Sequence, residues 1–171
     1  MKKIIFSLLA VFCFSFNTFA ESLGVFINDN KGKVTNIRNA PKGKIVHSFA
    51  LPAANGIMIT VDYQVNGWWH IEFNEYWEPD KDMQHFAGSN NGYWVHYSVI
   101  AVSTRNYGNQ RLYLRNKPSN SGQVVYSFNT EMLLRPVDIK GEWVKVQTYD
   151  GKHSGWLELE WICGNSLTNC N

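Results

Sequence analysis

Two short stretches decide the reading of this chain: Gly141-Glu142-Trp143-Val144-Lys145-Val146 and Gly155-Trp156-Leu157-Glu158-Leu159-Glu160-Trp161-Ile162. Each holds β-branched and aromatic residues in a strand-like run close behind a glycine. Asp150-Gly151-Lys152 lies between them. Asp-Gly tolerates the positive φ that a two-residue hairpin turn requires, so the pair reads as two antiparallel strands. The same pattern occurs upstream. Trp68-Trp69-His70-Ile71 matches Trp143-Val144-Lys145-Val146, and Trp94-Val95-His96-Tyr97-Ser98-Val99-Ile100 matches Trp156 to Ile162 without a gap. The chain reads as two copies of one small β module.

Working outward, the ladder continues. Val34 to Pro41, a Lys42-Gly43-Lys44 turn and the strand Ile45 to Phe49 stand opposite Leu112 to Pro118, a Ser119 to Gly122 turn and Val124 to Phe128. Arg38 pairs with Arg115, Asn39 with Asn116, Pro41 with Pro118, and Ser48-Phe49 with Ser127-Phe128. The turns differ in length by two residues. Ahead of this ladder, Val25-Phe26-Ile27 runs into Asn28-Asp29-Asn30, a strand entering a turn.

On these residues the chain resembles the bacterial SH3 domain family. The resemblance is carried by Asn36-Ile37-Arg38, the proline turn, Ile45-Val46, Asn66-Gly67-Trp68-Trp69 and His96 to Ile100, and again by Leu114-Arg115 with Gly155-Trp156-Leu157. It spans nearly all of residues 25 to 163. It implies an all-β chain of two tandem small SH3-like β-barrels packed together, often exported and often bound to cell-wall material. The acidic-Tyr signature that reads proline-rich ligands is absent. Leu112-Tyr113 lacks the usual Asn before the apolar-Arg pair, and Tyr93 stands where the second copy has Gly155.

Lys2 and Lys3, the apolar run Ile4 to Phe16, and Thr18 and Ala20 before Glu21 form a signal-peptide pattern over residues 1–20. The run is shorter than the roughly 20 apolar residues a membrane span needs. Phe12 precedes Cys13 where a lipoprotein signal places a small residue, so no stable membrane anchor is expected. The expected product, residues 21–171, is periplasmic or secreted. Two of the 16 basic residues leave with the signal, so basic and acidic residues balance at 14 each. A chain without a basic excess lacks the electrostatic footprint of nucleic-acid binding.

The expected organisation is a first SH3-like domain over 21–100, a linker over 101–109, a second domain over 110–163 and a tail over 164–171. Six residues separate Cys163 from Cys170. Export to an oxidising compartment makes a disulfide the expected use of the pair.

The first module carries an insertion, 74–91, absent from the second. Pro79, Asp80, Asp82 and Gly88 suggest a short helix within it, with Met83, Phe86 and Ala87 on one side. A long loop on a compact β scaffold is either a binding loop or a cover for the barrel end. Neither a Gly-x-Ser-x-Gly elbow nor a Cys-His arrangement is visible, and the histidines lack metalloprotease spacing. The expectation is a non-enzyme with no metal and no cofactor.

The remaining chemistry is aromatic. The chain has seven Trp and eight Tyr. Neighbours on a strand face opposite ways, so of Trp68 and Trp69 one is expected in the core and the other at or near the surface. Flat rings beside Glu and Asn suit sugars and peptide chains. The candidate ligand-binding residues are Trp68, Tyr76, Trp77, Tyr93 and Trp94, with Tyr76 and Trp77 expected to be exposed. Trp143 and Trp156 are expected to fill the core. The partner implied by the resemblance is peptidoglycan or its peptide stems. The alternative is a partner protein, with the chain acting as a periplasmic inhibitor or immunity protein that blocks a toxin or wall hydrolase.

Overall fold

The computed structural model describes residues 22–52, 55–167 and 170. The expected signal peptide lies outside the described residues. Those described are all-β, with two short 3-10 turns and no α-helix. No helix among them is long and apolar enough to cross a membrane.

Fifteen strands form: β1 (Leu23–Ile27), β2 (Val34–Arg38), β3 (Ile45–Ala50), β4 (Met58–Val65), β5 (Trp68–Ile71), β6 (Glu75–Glu78), β7 (Asp82–His85), β8 (Tyr93–His96), β9 (Ile100–Thr104), β10 (Leu112–Arg115), β11 (Val124–Phe128), β12 (Leu133–Lys140), β13 (Trp143–Thr148), β14 (Ser154–Glu158) and β15 (Ile162–Cys163). All pairings are antiparallel. The main path runs β11-β10-β14-β13-β12-β9-β1-β4-β5-β8-β2-β3, and it is open, with β11 and β3 as its ends.

From its middle the path reads β1-β4-β5-β8-β2-β3 in one direction and β9-β12-β13-β14-β10-β11 in the other. Each place on one arm is taken by the strand in the corresponding place of the other. The agreement extends to single bonds. Ile27 N–H donates to Ile57 O, and Thr104 N–H donates to Met132 O. Tyr97 N–H reaches Gly67 O, and Leu159 N–H reaches Glu142 O. Arg38 Nη1 donates to Gly43 O at 2.6 Å, and Arg115 Nη1 donates to Gly122 O at 2.9 Å. The register slips at the same place in both arms, between Ile37 and Arg38 and between Leu114 and Arg115.

β9 joins the arms. Its start pairs with β1 (Ile27↔Ile100), and its end pairs with both β12 (Leu134↔Val102) and β15 (Ile162↔Thr104). Residues 101–104 were expected in a linker. They form a strand because Ala101, Val102 and Thr104 are fully buried between the arms. The polar look of Thr104 and Asn106 is misleading, since both are buried and bond each other. Thr104 Oγ1 donates to Asn106 Oδ1 at 2.7 Å and accepts from Met132 N–H at 2.9 Å.

One continuous apolar core crosses the junction, with Val25, Val61 and Trp69 from one arm and Leu134, Val144 and Val146 from the other. Cys163 and Cys170 form a disulfide, Cα to Cα 5.6 Å. The tail beyond β15 lies back on the first arm, where Gly164 crosses Gly24. A Cβ on Gly164 would collide with the Gly24 backbone, so the crossing requires glycine. Ser166 Oγ donates to Gly56 O at 2.8 Å.

The insertion is a β-hairpin, β6–β7, where the sequence suggested a helix. Lys81 N–H closes a turn on Glu78 O, with Pro79 second and Asp80 third. Asp80 has φ +71° and Asp82 has φ +60°, both outside the helical region. Proline followed by a positive-φ residue is a type II turn signature, and here it outweighs the helix-start reading of Pro-Asp.

Candidate functional site

The hairpin stands over the end of the first arm because its inner rings are anchored there. Phe86, 2 % exposed, stacks on Tyr93 with centroids 4.8 Å apart and rings tilted by 25°. Tyr76 packs against Phe86 at 4.7 Å and Phe49 at 4.9 Å. His47 on β3 touches Phe49, Tyr76 and Phe86. This cluster explains why Tyr93 replaces the glycine of the second arm. At Gly155 a Cβ would sit 2.8 Å from Leu114 Cβ and 2.9 Å from Arg115 O, so no side chain fits. In the first arm the insertion brings Phe86 to cover a ring.

The hairpin leaves a groove on either side, and Tyr76 borders both. The first groove encloses about 190 Å³, and Met58, Phe73, Trp77 and Met83 give it apolar walls. Phe73 and Met83 are each about half exposed. Trp77 is half-buried, held by pairing with Met58 on β4 and Met83 on β7. The second groove encloses about 310 Å³ between β3 and β6, with His47, Phe49, Tyr76, Glu78 and Lys81 in its walls. Glu78 and Lys81 form an ion pair at 2.8 Å on its rim.

Burial holds the His47 imidazole below its ordinary pKa, with Glu78 opposing. Burial raises the Tyr76 hydroxyl, and Glu78 adds to that. At neutral pH the second groove therefore presents a neutral imidazole, a neutral phenol and an ion pair. That combination gives ring faces for stacking and a few hydrogen-bonding groups for orientation.

The structure distributes the five sequence-derived residues over three places. Trp77 borders the apolar groove. Tyr76 and Tyr93 are 9 % and 4 % exposed, inside the cluster under the hairpin. Tyr76 was expected at the surface. It turns inward because alternation on β6 sends it and Trp77 to opposite faces, and the inner face meets Phe49 and Phe86. Trp68 and Trp94 lie on the opposite, outer face of the β5–β8 sheet. There Trp68 packs against His96 at 5.0 Å with Arg38 above it at 5.6 Å. Trp94 is covered by Tyr63 and His70, and His70 Nδ1 is 2.9 Å from Asp62 Oδ1. Trp69 faces inward and is fully buried.

Sequence reading missed His47, Phe73 and Met83. His47 was within reach, because it alternates with Phe49 on a strand and shares its face. Phe73 and Met83 become neighbours only once the insertion pairs as a hairpin.

Among the described residues no group of three or more His, Cys, Asp or Glu side chains is placed to hold a metal ion.

Residues 110–162 match the family model of the bacterial SH3 domain. That segment runs from the entry to β10 through the 3-10 turn into β15, and covers well under half of the chain. No curated protein matches the chain. Among solved structures, the chain is similar to NlpC1 from Trichomonas vaginalis, with 7 % identity, 91 % of this chain and 50 % of that one covered, and a TM-score of 0.32. It is similar to NlpC2 from the same organism, with 6 % identity, coverage of 85 % and 49 %, and a TM-score of 0.32. The chain thus spans about half the length of either structure.

Proposed function

We propose that this chain is an exported, non-catalytic binding protein built from two SH3-like barrels, with peptidoglycan or its peptide stems as ligand. The observation that carries the reading is the match of residues 110–162 to the bacterial SH3 domain. Domains of that family resemble one another in fold and often serve as wall-binding modules. The common strand order of the two arms supports a second copy over residues 21–100. The signal-peptide pattern of residues 1–20 supports delivery to the periplasm or outside the cell, where the wall is met.

In this reading the hairpin grooves receive the ligand. Trp77 with Phe73 and Met83 offers apolar contact, and His47, Tyr76 and the Glu78–Lys81 pair offer hydrogen bonds across β6. The half-exposed Phe73 and Met83 also favour a second reading, a partner protein seated on the hairpin. Titration with soluble muropeptides carrying intact stems separates the two. Saturable shifts confined to residues around β6 and β7 support wall recognition. No shift at millimolar muropeptide moves the assignment to a protein partner.

A further inference from the structure

A third cavity lies between the arms and takes walls from both. It encloses about 320 Å³. The β1–β2 loop contributes Asp29 and Lys31, the 3-10 turn before β9 contributes Ser98 and Val99, β12 contributes Arg135, and the β13–β14 loop contributes Tyr149. The site exists only when both arms are in place.

Arg135 is its centre. The guanidinium carbon sits 4.1 Å from the centroid of the Tyr149 ring, a cation–π contact that holds the group against Tyr149. One nitrogen, Nη1, donates to Ile100 O in a long bond of 3.3 Å. Among the described residues no carboxylate lies within ion-pair distance of Arg135 or of Lys31. Asp29 is the acid in this wall and opposes an anion there, but both its oxygens are turned to hydrogen bonds within the β1–β2 loop and β2. Oδ1 accepts from Lys31 N–H at 2.9 Å, and Oδ2 accepts from the Thr35 hydroxyl at 2.8 Å. The fold itself does not call for this arginine. The equivalent bonds of Ile57 and Met132 place Thr60 at the same position of the first arm.

His96 lies close enough to feel Arg135. Burial is the larger cause that holds its pKa below the ordinary value, and the arginine charge adds to it. Burial raises the Tyr149 hydroxyl, with Arg135 opposing, so it remains a neutral donor.

We propose that the junction cavity is a carboxylate-binding site. Arg135, already held against Tyr149, offers charge-assisted hydrogen bonds to the anion, and Lys31 adds attraction at the mouth. The ligand class is a carboxylate small enough for this volume: the free C-terminus of a short peptide or a small organic acid. The proposal is independent of the hairpin grooves.

Calorimetry on the whole exported chain at pH 7.5 and low salt tests it with three probes: acetyl-alanyl-alanine, its C-terminal amide, and acetate. The dipeptide acid is expected to bind at least about tenfold more tightly than the amide, with Arg135→Gln removing that preference. Binding of acetate as tightly as the dipeptide supports a small-acid ligand. Binding of the dipeptide acid alone supports a peptide end. Equal binding of acid and amide, no binding of either acid, or full binding by Arg135→Gln overturns the proposal. Lys31→Gln, at an exposed position, gives a second variant that folds regardless, with a few-fold weakening of the acid expected. Co-sedimentation of Arg135→Gln with peptidoglycan reports separately on the hairpin reading, which predicts no change.

Discussion

Trp69 of β5 donates its indole N–H to the main-chain oxygen of Pro136 on β12, at 3.0 Å across 67 residues of sequence. The ring is fully buried, and the bond lies inside the core that both arms share. It couples the third strand of one arm to the second strand of the other. Trp69→Phe keeps a ring but leaves the Pro136 oxygen without this partner, at a cost of about 1–3 kcal/mol. Because β9 and this bond tie the arms, denaturant unfolding is expected as one transition in both proteins. Two separated transitions in the parent chain would count against a shared core.

Arg38 and Arg115 clip equivalent turns by donating to Gly43 O and Gly122 O. Arg115→Met and Arg38→Met are each expected to lower stability by about 1–2 kcal/mol. Chemical denaturation measures both. A large loss from one and none from the other would show that the two clips do different work.

His47 has a pKa lowered by burial, and so does His96. Each imidazole protonates more readily in the unfolded chain, near the ordinary value of 6.5. Below that pH the unfolded state binds more protons, so stability falls as pH drops from about 6.5 through the lowered folded value. Melting temperature is expected to decline from pH 7.5 to pH 5, and His47→Asn is expected to flatten part of that slope. An unchanged slope in the variant would remove His47 from the account.

Cys163–Cys170 closes a short ring at the end of the tail. Its loss in Cys170→Ser is expected to cost about 2–3 kcal/mol at most, by loop entropy. Ser166 and Gly164 still hold the tail on the first arm. A melting shift measured with and without reductant checks this. No shift on reduction of the parent chain would show that the bond does not stabilise the fold.

Much of the strand plan was readable because it rests on local chemistry. Trp68-Trp69 alternation sent Trp69 to the core and left Trp68 half-buried on the outer face. The Asp-Gly turn lies where expected, although only Gly151 takes a positive φ and the loop runs over five residues, 149–153. The insertion was not readable. Pro79-Asp80 fits both a helix start and a type II turn, and what decides between them is distant packing of Phe86 and Tyr76 on β3 and β8. Most of β9 was read as linker because the run from Thr104 to Asn109 is polar, and the bond between buried Thr104 and Asn106 cannot be seen from spacing. For the same reason the candidate residues scattered. An exposed ring and a buried one look alike in sequence, so Tyr76 and Tyr93 were grouped with Trp77.

The most direct measurement is co-sedimentation of residues 21–171 with intact peptidoglycan sacculi, beside heat-unfolded protein and a Trp77→Ala variant of matched melting temperature. The account predicts saturable pelleting of the folded chain, loss of pelleting on unfolding, and weakening in the variant. A folded chain that stays in the supernatant at all sacculus concentrations would contradict it.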